Sequence, residues 1–237
     1  MKITASSRRD FLAAARGTGA GLLLAVFAEA ASEKNAKKKA EPEEDEVAPG
    51  EDLMREHGVL NRILLIYEEC LRRLDARQGL APESLSGAAG IIRRFIEEYH
   101  EKLEEENLFP RFEKAGKLVD LVAVLREQHQ AGRRLTGEIQ RLSKQGAMVK
   151  EEDRRRLSDS MRLFIRMYRP HEAREDTVLF PAFRTIVSKK EYETLGDAFE
   201  EKEHRLFGSE GFEKIVAEVA ELEKPLGIYE LSRFTPK

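Results

Sequence analysis

A stretch of the chain occurs twice, and its histidines come with it. Residues 100–113 read HEKLEEENLFPRFE and residues 171–184 read HEAREDTVLFPAFR, identical at seven of 14 positions. Phe-Ile and a Tyr precede both copies (Phe95-Ile96 and Tyr99; Phe164-Ile165 and Tyr168). Upstream of each copy lies a lone His in a shared setting. Leu53-x-x-x-His57 is followed by Arg62-Ile63, and Leu125-x-x-x-His129 by Arg134-Leu135. The lone His residues are 72 apart and the copied ones 71 apart. A unit of two helices, roughly 70 residues long, is therefore used twice. The chain has only five His, and four of them belong to this repeat.

The periodicity is helical. At about 100° per residue, Leu53, Leu60, Leu64 and Leu71 cluster on the face of His57. Val122, Leu125 and Thr136 flank His129, Ile96 and Leu103 flank His100, and Phe164, Met167 and Val178 flank His171. Breakers separate the helices at Ala81-Pro82-Glu83-Ser84, Ala115-Gly116 and Gln145-Gly146. Two helical hairpins predict an all-α protein, an antiparallel up-down four-helix bundle over residues 51–187. Pro110 and Pro181 are expected to kink or end the second and fourth helices, and Pro170 to distort the fourth. Residues 188–237 form a C-terminal helical extension, with helices near 189–207 and 209–224 and a tail expected to pack back.

Four imidazoles on apolar stripes point into the bundle. His100 and Glu104 lie one turn apart, as do His171 and Glu175. A single His-x-x-x-Glu carries little information in a chain with 44 Asp and Glu. Two copies in matching phase, each paired with a lone interior His, point to a metal site. A buried carboxylate needs compensation, which a pair of cations supplies, and imidazole with carboxylate suits iron. The bland alternative is four buried His, each bonded to a neighbouring Glu.

The pattern His57 … His100-x-x-x-Glu104 … His129 … His171-x-x-x-Glu175, with Leu-Phe-Pro after both His-x-x-x-Glu copies, resembles the hemerythrin-like (HHE cation-binding) domain. The resemblance implies a four-helix bundle around a non-haem di-iron centre, two iron ions binding dioxygen or, in some relatives, nitric oxide. It carries over to His57, His100, Glu104, His129, His171 and Glu175. The chain departs from the family's oxygen carriers, which have a second His one turn from the one on the third helix. Here those neighbours are Leu125 and Arg133. Their last carboxylate is an Asp one residue beyond the position of Glu175. His204, in the fifth helix, is the candidate replacement ligand, although Leu195, Phe199 and Leu206 lie on the opposite side of that helix. Three functions follow from such a site: dioxygen binding, sensing or handling; turnover of nitric oxide or peroxide, or iron-centre repair; and iron storage or a structural bundle.

Residues 1–30 read as a signal to be set aside. Arg8-Arg9-Asp10-Phe11-Leu12, a mild apolar run from Leu12 to Ala28 interrupted by Arg16, and Ala28-Glu29-Ala30 resemble a twin-arginine export signal with a cleavage site. The alternative is a short amphipathic or membrane-anchoring helix. Export through the twin-arginine machinery implies a periplasmic protein that travels folded, with no stable membrane span after processing. Residues 31–50 form a charged linker, basic at Lys34 and Lys37–Lys39 and acidic at Glu41 and Glu43–Glu46, expected to be disordered.

Composition narrows the rest. One cysteine, Cys70, excludes a disulfide framework, an iron–sulfur cluster and a thiolate zinc site. A net charge of −3 argues against a nucleic-acid binder. Charged residues make up 36%, against about 25% in an average domain, so the surface is dense in charge. Glu101-Lys102 and Arg154–Arg156 read as solvated faces, Cys70 as core, and Tyr99 and Tyr168 as core residues or outer hydrogen-bond donors.

Overall fold

The computed structural model describes residues 48–144 and 150–236. The export-signal reading and nearly all of the linker lie outside the described residues, as does the Gln145-Gly146 breaker. The described residues are all-helical, without a strand. No helix among them is long and apolar enough to cross a membrane.

Helix α1, Pro49–Asp75, begins two residues before the expected boundary. Pro49 sits in its first turn, where the absent N–H has no partner to lose. Glu51 and Asp52 at its start and Arg72 and Arg73 at its end suit the helix dipole. Helix α2 is a continuous helical run over 82–115, closed by Gly116 at φ +62°. A glycine takes that left-handed cap without strain. Helix α3 is Val119–Leu142, and α4 runs over 151–183. Helix α5 is Lys189–Phe207, where the Ser188 side chain accepts from the Glu191 amide. Helix α6 is Gly211–Leu226.

Helix α1 packs against α2 and α4, and α3 also packs against α2 and α4. Helices α5 and α6 pack against α1 and against each other, and α6 also covers the start of α2. The faces turned inward share one core, including Leu60, Leu64, Phe95, Leu103, Leu125 and Phe164. Cys70 is part of it, its thiol pushed up to about 12 by burial.

Of the two outcomes expected at Pro110 and Pro181, a kink or an end, the end is excluded: each helix continues past its proline, which follows a π-helical turn, Glu104–Leu108 in α2 and Glu175–Leu179 in α4. The Phe109 amide reaches back five residues to the Glu104 carbonyl, and that of Phe180 to Glu175. The wider turn makes room for a proline ring that a straight α-helix would push against a carbonyl one turn back. Pro170 sits inside the regular segment Glu151–Arg174. The tail packs back only at its start, where Ile228 lies against the core; beyond it a short 3-10 turn, Leu231–Phe234, leaves Leu231 82% exposed.

Candidate metal centre

Each helix in contact around the core delivers one imidazole to the same depth: α1 His57, α2 His100, α3 His129 and α4 His171, all buried. The His-x-x-x-Glu copies add Glu104 and Glu175, fully buried beside them. Ligand atoms of His57, His100, Glu104 and Glu175 lie within 4.8 Å of one another, and so do those of His129, His171 and Glu175. The repeat appears as an internal two-fold relation. His57 stacks on Phe180 at 5.5 Å and 26°, and His129 on Phe109 at 5.5 Å and 24°. The His57–His100 rings are 4.7 Å apart and the His129–His171 rings 5.0 Å.

Every imidazole is held by its outer nitrogen. Nδ1 of His57 bonds Asp176 at 2.7 Å, that of His100 bonds Glu56 at 2.8 Å, that of His129 bonds Glu105 at 3.1 Å and that of His171 bonds Gln128 at 2.8 Å. With each partner accepting, each Nδ1 donates, and each Nε2 is the nitrogen that would offer its lone pair to a metal. All four Nε2 atoms face the inner carboxylates. His57 and His171 lie 3.4 and 3.1 Å from Glu175, and His129 and His100 lie 3.4 and 3.7 Å from Glu104. Among the described residues the four oxygens of Glu104 and Glu175 accept no hydrogen bond of good geometry. Lone pairs facing lone pairs in a dry interior repel unless a cation lies between them. Two imidazoles and shared carboxylate oxygens per position are a donor set for iron or a similar divalent ion.

Without a cation, protons must do this work. Burial opposes a charge on His57, but Asp176 and Glu175 prevail and lift its pKa to about 10. Burial pushes His100 down to about 3 and His129 to about 4. Burial, with Glu175 beside it, holds Glu104 well above the ordinary carboxylate range. For Glu175 burial is outweighed by His171 and His57, which keep it well below that range.

His204 is not brought to this site. It is 41% exposed on α5, and the acid nearest its ring is Glu200 at 3.7 Å, while Leu195 and Phe199 face the core. Nor does the residue one turn beyond His129 supply a ligand. The Arg133 guanidinium is engaged by Glu101 at 2.8 Å and Glu105 at 2.8 Å. Glu101 is therefore not on a solvated face: it is buried and also accepts from the Tyr168 hydroxyl at 2.6 Å. Tyr99 packs against Phe95 and Phe207.

The outer partners Glu56, Glu105, Gln128 and Asp176 were missed in the sequence. Their signal was present, since each adjoins a ligand in the chain. Glu56 and Gln128 directly precede the lone His residues, and Glu105 and Asp176 directly follow the inner Glu residues.

A family model, the Hemerythrin HHE cation binding domain, matches residues 48–152 and again residues 120–227. The two matches start 72 residues apart, the spacing of the lone His residues. Uncharacterized proteins of Mycobacterium bovis and of two strains of Mycobacterium tuberculosis are similar to this chain. Each is 52% identical over 190 residues, covering 80% of this chain and 74% of its own. No solved structure matches.

Proposed function

Because the chain belongs to the hemerythrin HHE cation-binding family, we propose that it is a non-haem di-iron protein that binds, senses or handles dioxygen. In this reading α1–α4 form an antiparallel four-helix bundle, and two iron ions would be held by His57 and His100 on one side and His129 and His171 on the other, with Glu104 and Glu175 supplying the carboxylates. The observation that supports it is the convergence of four Nε2 atoms on the buried carboxylates of Glu104 and Glu175, whose oxygens accept no well-formed hydrogen bond among the described residues. Bound iron supplies a redox-active Lewis acid for a diatomic ligand. The chain's own residues fix the imidazoles through Asp176, Glu56, Glu105 and Gln128, and exclude water with Phe109 and Phe180. Six protein ligands are one fewer than the oxygen carriers use, because the residue one turn beyond His129 is Arg133, which pairs with Glu101 and Glu105. That observation favours nitric oxide or peroxide turnover as the second reading.

Anaerobic iron loading with elemental analysis tests the core of the proposal. Two iron ions per chain are expected, and Glu104→Ala or Glu175→Ala should lower that number. A stoichiometry near zero with intact helical circular dichroism would refute it. Stopped-flow spectra of the ferrous protein with dioxygen, nitric oxide and peroxide separate the two readings. For the chain's destination we propose twin-arginine export to the periplasm. Replacing Arg8 and Arg9 together with Lys should leave the precursor in the cytoplasm, and unchanged periplasmic fractionation would overturn that assignment.

A further inference from the structure

The repeat lets the two halves of the site be compared position by position. Inner groups correspond as His57 to His129, His100 to His171, and Glu104 to Glu175. The ring geometry follows this correspondence, as the paired stacking distances show. Outer groups correspond in position but not in charge. On the His57/His100 side both Nδ1 atoms meet carboxylates, Asp176 at 2.7 Å and Glu56 at 2.8 Å. On the other side Glu105 is shared: besides His129 it contacts Arg133 at 2.8 Å and Lys102 at 2.6 Å, so two cations draw on its charge. At the position matching Glu56 stands Gln128, an uncharged amide whose Oε1 holds His171 at 2.8 Å.

An imidazole that donates to an anion is a stronger σ-donor through its other nitrogen than one that donates to an amide. We propose that this mismatch makes the two metal positions unequal. The His57/His100 position is the tight one that fills first, the His129/His171 position is the exchangeable one, and Gln128 is the positioning residue that sets the difference. The inference rests on the two-metal reading above and adds an order of loading and release to it. Outer-partner changes alter metal affinity by roughly 10–100-fold, so the two steps should differ by about 10-fold or more.

The test is a titration of the metal-free full chain, under anaerobic conditions, with ferrous ion and in parallel with cobalt(II). Occupancy is followed by cobalt visible absorption and by competition with a chelator. Wild type should fill in two steps. Gln128→Glu should tighten the second step about 10-fold or more and leave the first unchanged. Gln128→Ala should loosen the second step alone. Opposite responses to Glu and Ala at one position are not the signature of a merely structural residue. Gln128 is only half-buried, so a carboxylate there keeps access to solvent. Glu56→Gln, which conserves volume, gives the converse change and should weaken the first step. His171→Ala should keep the tight step and His57→Ala should lose it. Two ions taken up in one indistinguishable step, or a separation unmoved by Gln128→Glu, would overturn the inference while leaving the two-metal reading intact. No uptake of either ion would overturn that reading and the inference with it.

Discussion

At Gly132 a single absent carbon decides where Tyr168 lies. A Cβ there would collide with the Tyr168 hydroxyl, which is buried and donates to Glu101 at 2.6 Å. In an ordinary helix interior, Gly→Ala stabilises by roughly 0.5–1 kcal/mol. Here Gly132→Ala should instead destabilise by about 1–3 kcal/mol, from overpacking and the displaced hydrogen bond. Urea unfolding of Gly132→Ala beside Tyr168→Phe measures it. A gain in stability from Gly132→Ala would refute the close-approach argument. At this scale the six His and Glu residues that the structure brings together were legible, because each recurs at the repeat spacing. Arg133 and Glu101 were not, because nothing in a one-dimensional pattern shows that a charged residue on one helix meets another across a core. Glu101 follows a ligand His and precedes a Lys, which reads as surface until Arg133 and Tyr168 cover it.

The π turns make the connection between elements and site. Both open at an inner carboxylate and end at the Leu before Phe-Pro. Each thereby sets the phase between the Glu that faces the four imidazoles and the Phe that stacks on the opposite lone His. Helix type and the approximate placement of the six long helices among the described residues could be read from periodicity and breakers. The π turns could not, since the same Pro that a sequence reading takes for a stop is accommodated by shifting one hydrogen bond from four residues to five. Pro181→Ala tests this coupling. It restores an amide donor and removes the ring, so the regular α-helix competes with the π turn. Ala is about 3 kcal/mol better than Pro in a helix interior, so the helix itself should be no less stable. Metal affinity should nonetheless fall, because a straight turn moves Phe180 away from His57. Thermal melting and cobalt(II) titration of the same variant read the two effects separately. Unchanged affinity would show that the π turn does not position the site.

For the whole molecule, the metal-free protein should be most stable near pH 6.5, and metal should remove that maximum. His57 carries a proton in the fold up to about pH 10, against 6.5 in the unfolded chain. The folded state therefore binds more protons between those values, and stability falls as pH rises through the window. Glu104, raised by burial and Glu175, acts in the same direction, beginning above the ordinary carboxylate pKa. His100 and His129 are held down to about 3 and 4, so there the unfolded chain binds more protons and stability is lost as pH falls below 6.5. Glu175, held low, adds to that acid-side loss. Metal takes the place of these protons. Loading at pH 7 should release protons, chiefly from His57 and Glu104, which a weakly buffered indicator assay counts. It should also add about 2.7 kcal/mol at a free ion concentration 100 times the dissociation constant. Melting curves from pH 5 to 9, metal-free and with ferrous ion under anaerobic conditions, should diverge most at the alkaline end. There the metal-free core must hold ionised carboxylates with a His57 that has begun to lose its charge. A metal-free melting temperature that stays level from pH 6.5 to 9 would mean that His57 is neutral in the fold, and that no proton stands in for the cation at this site.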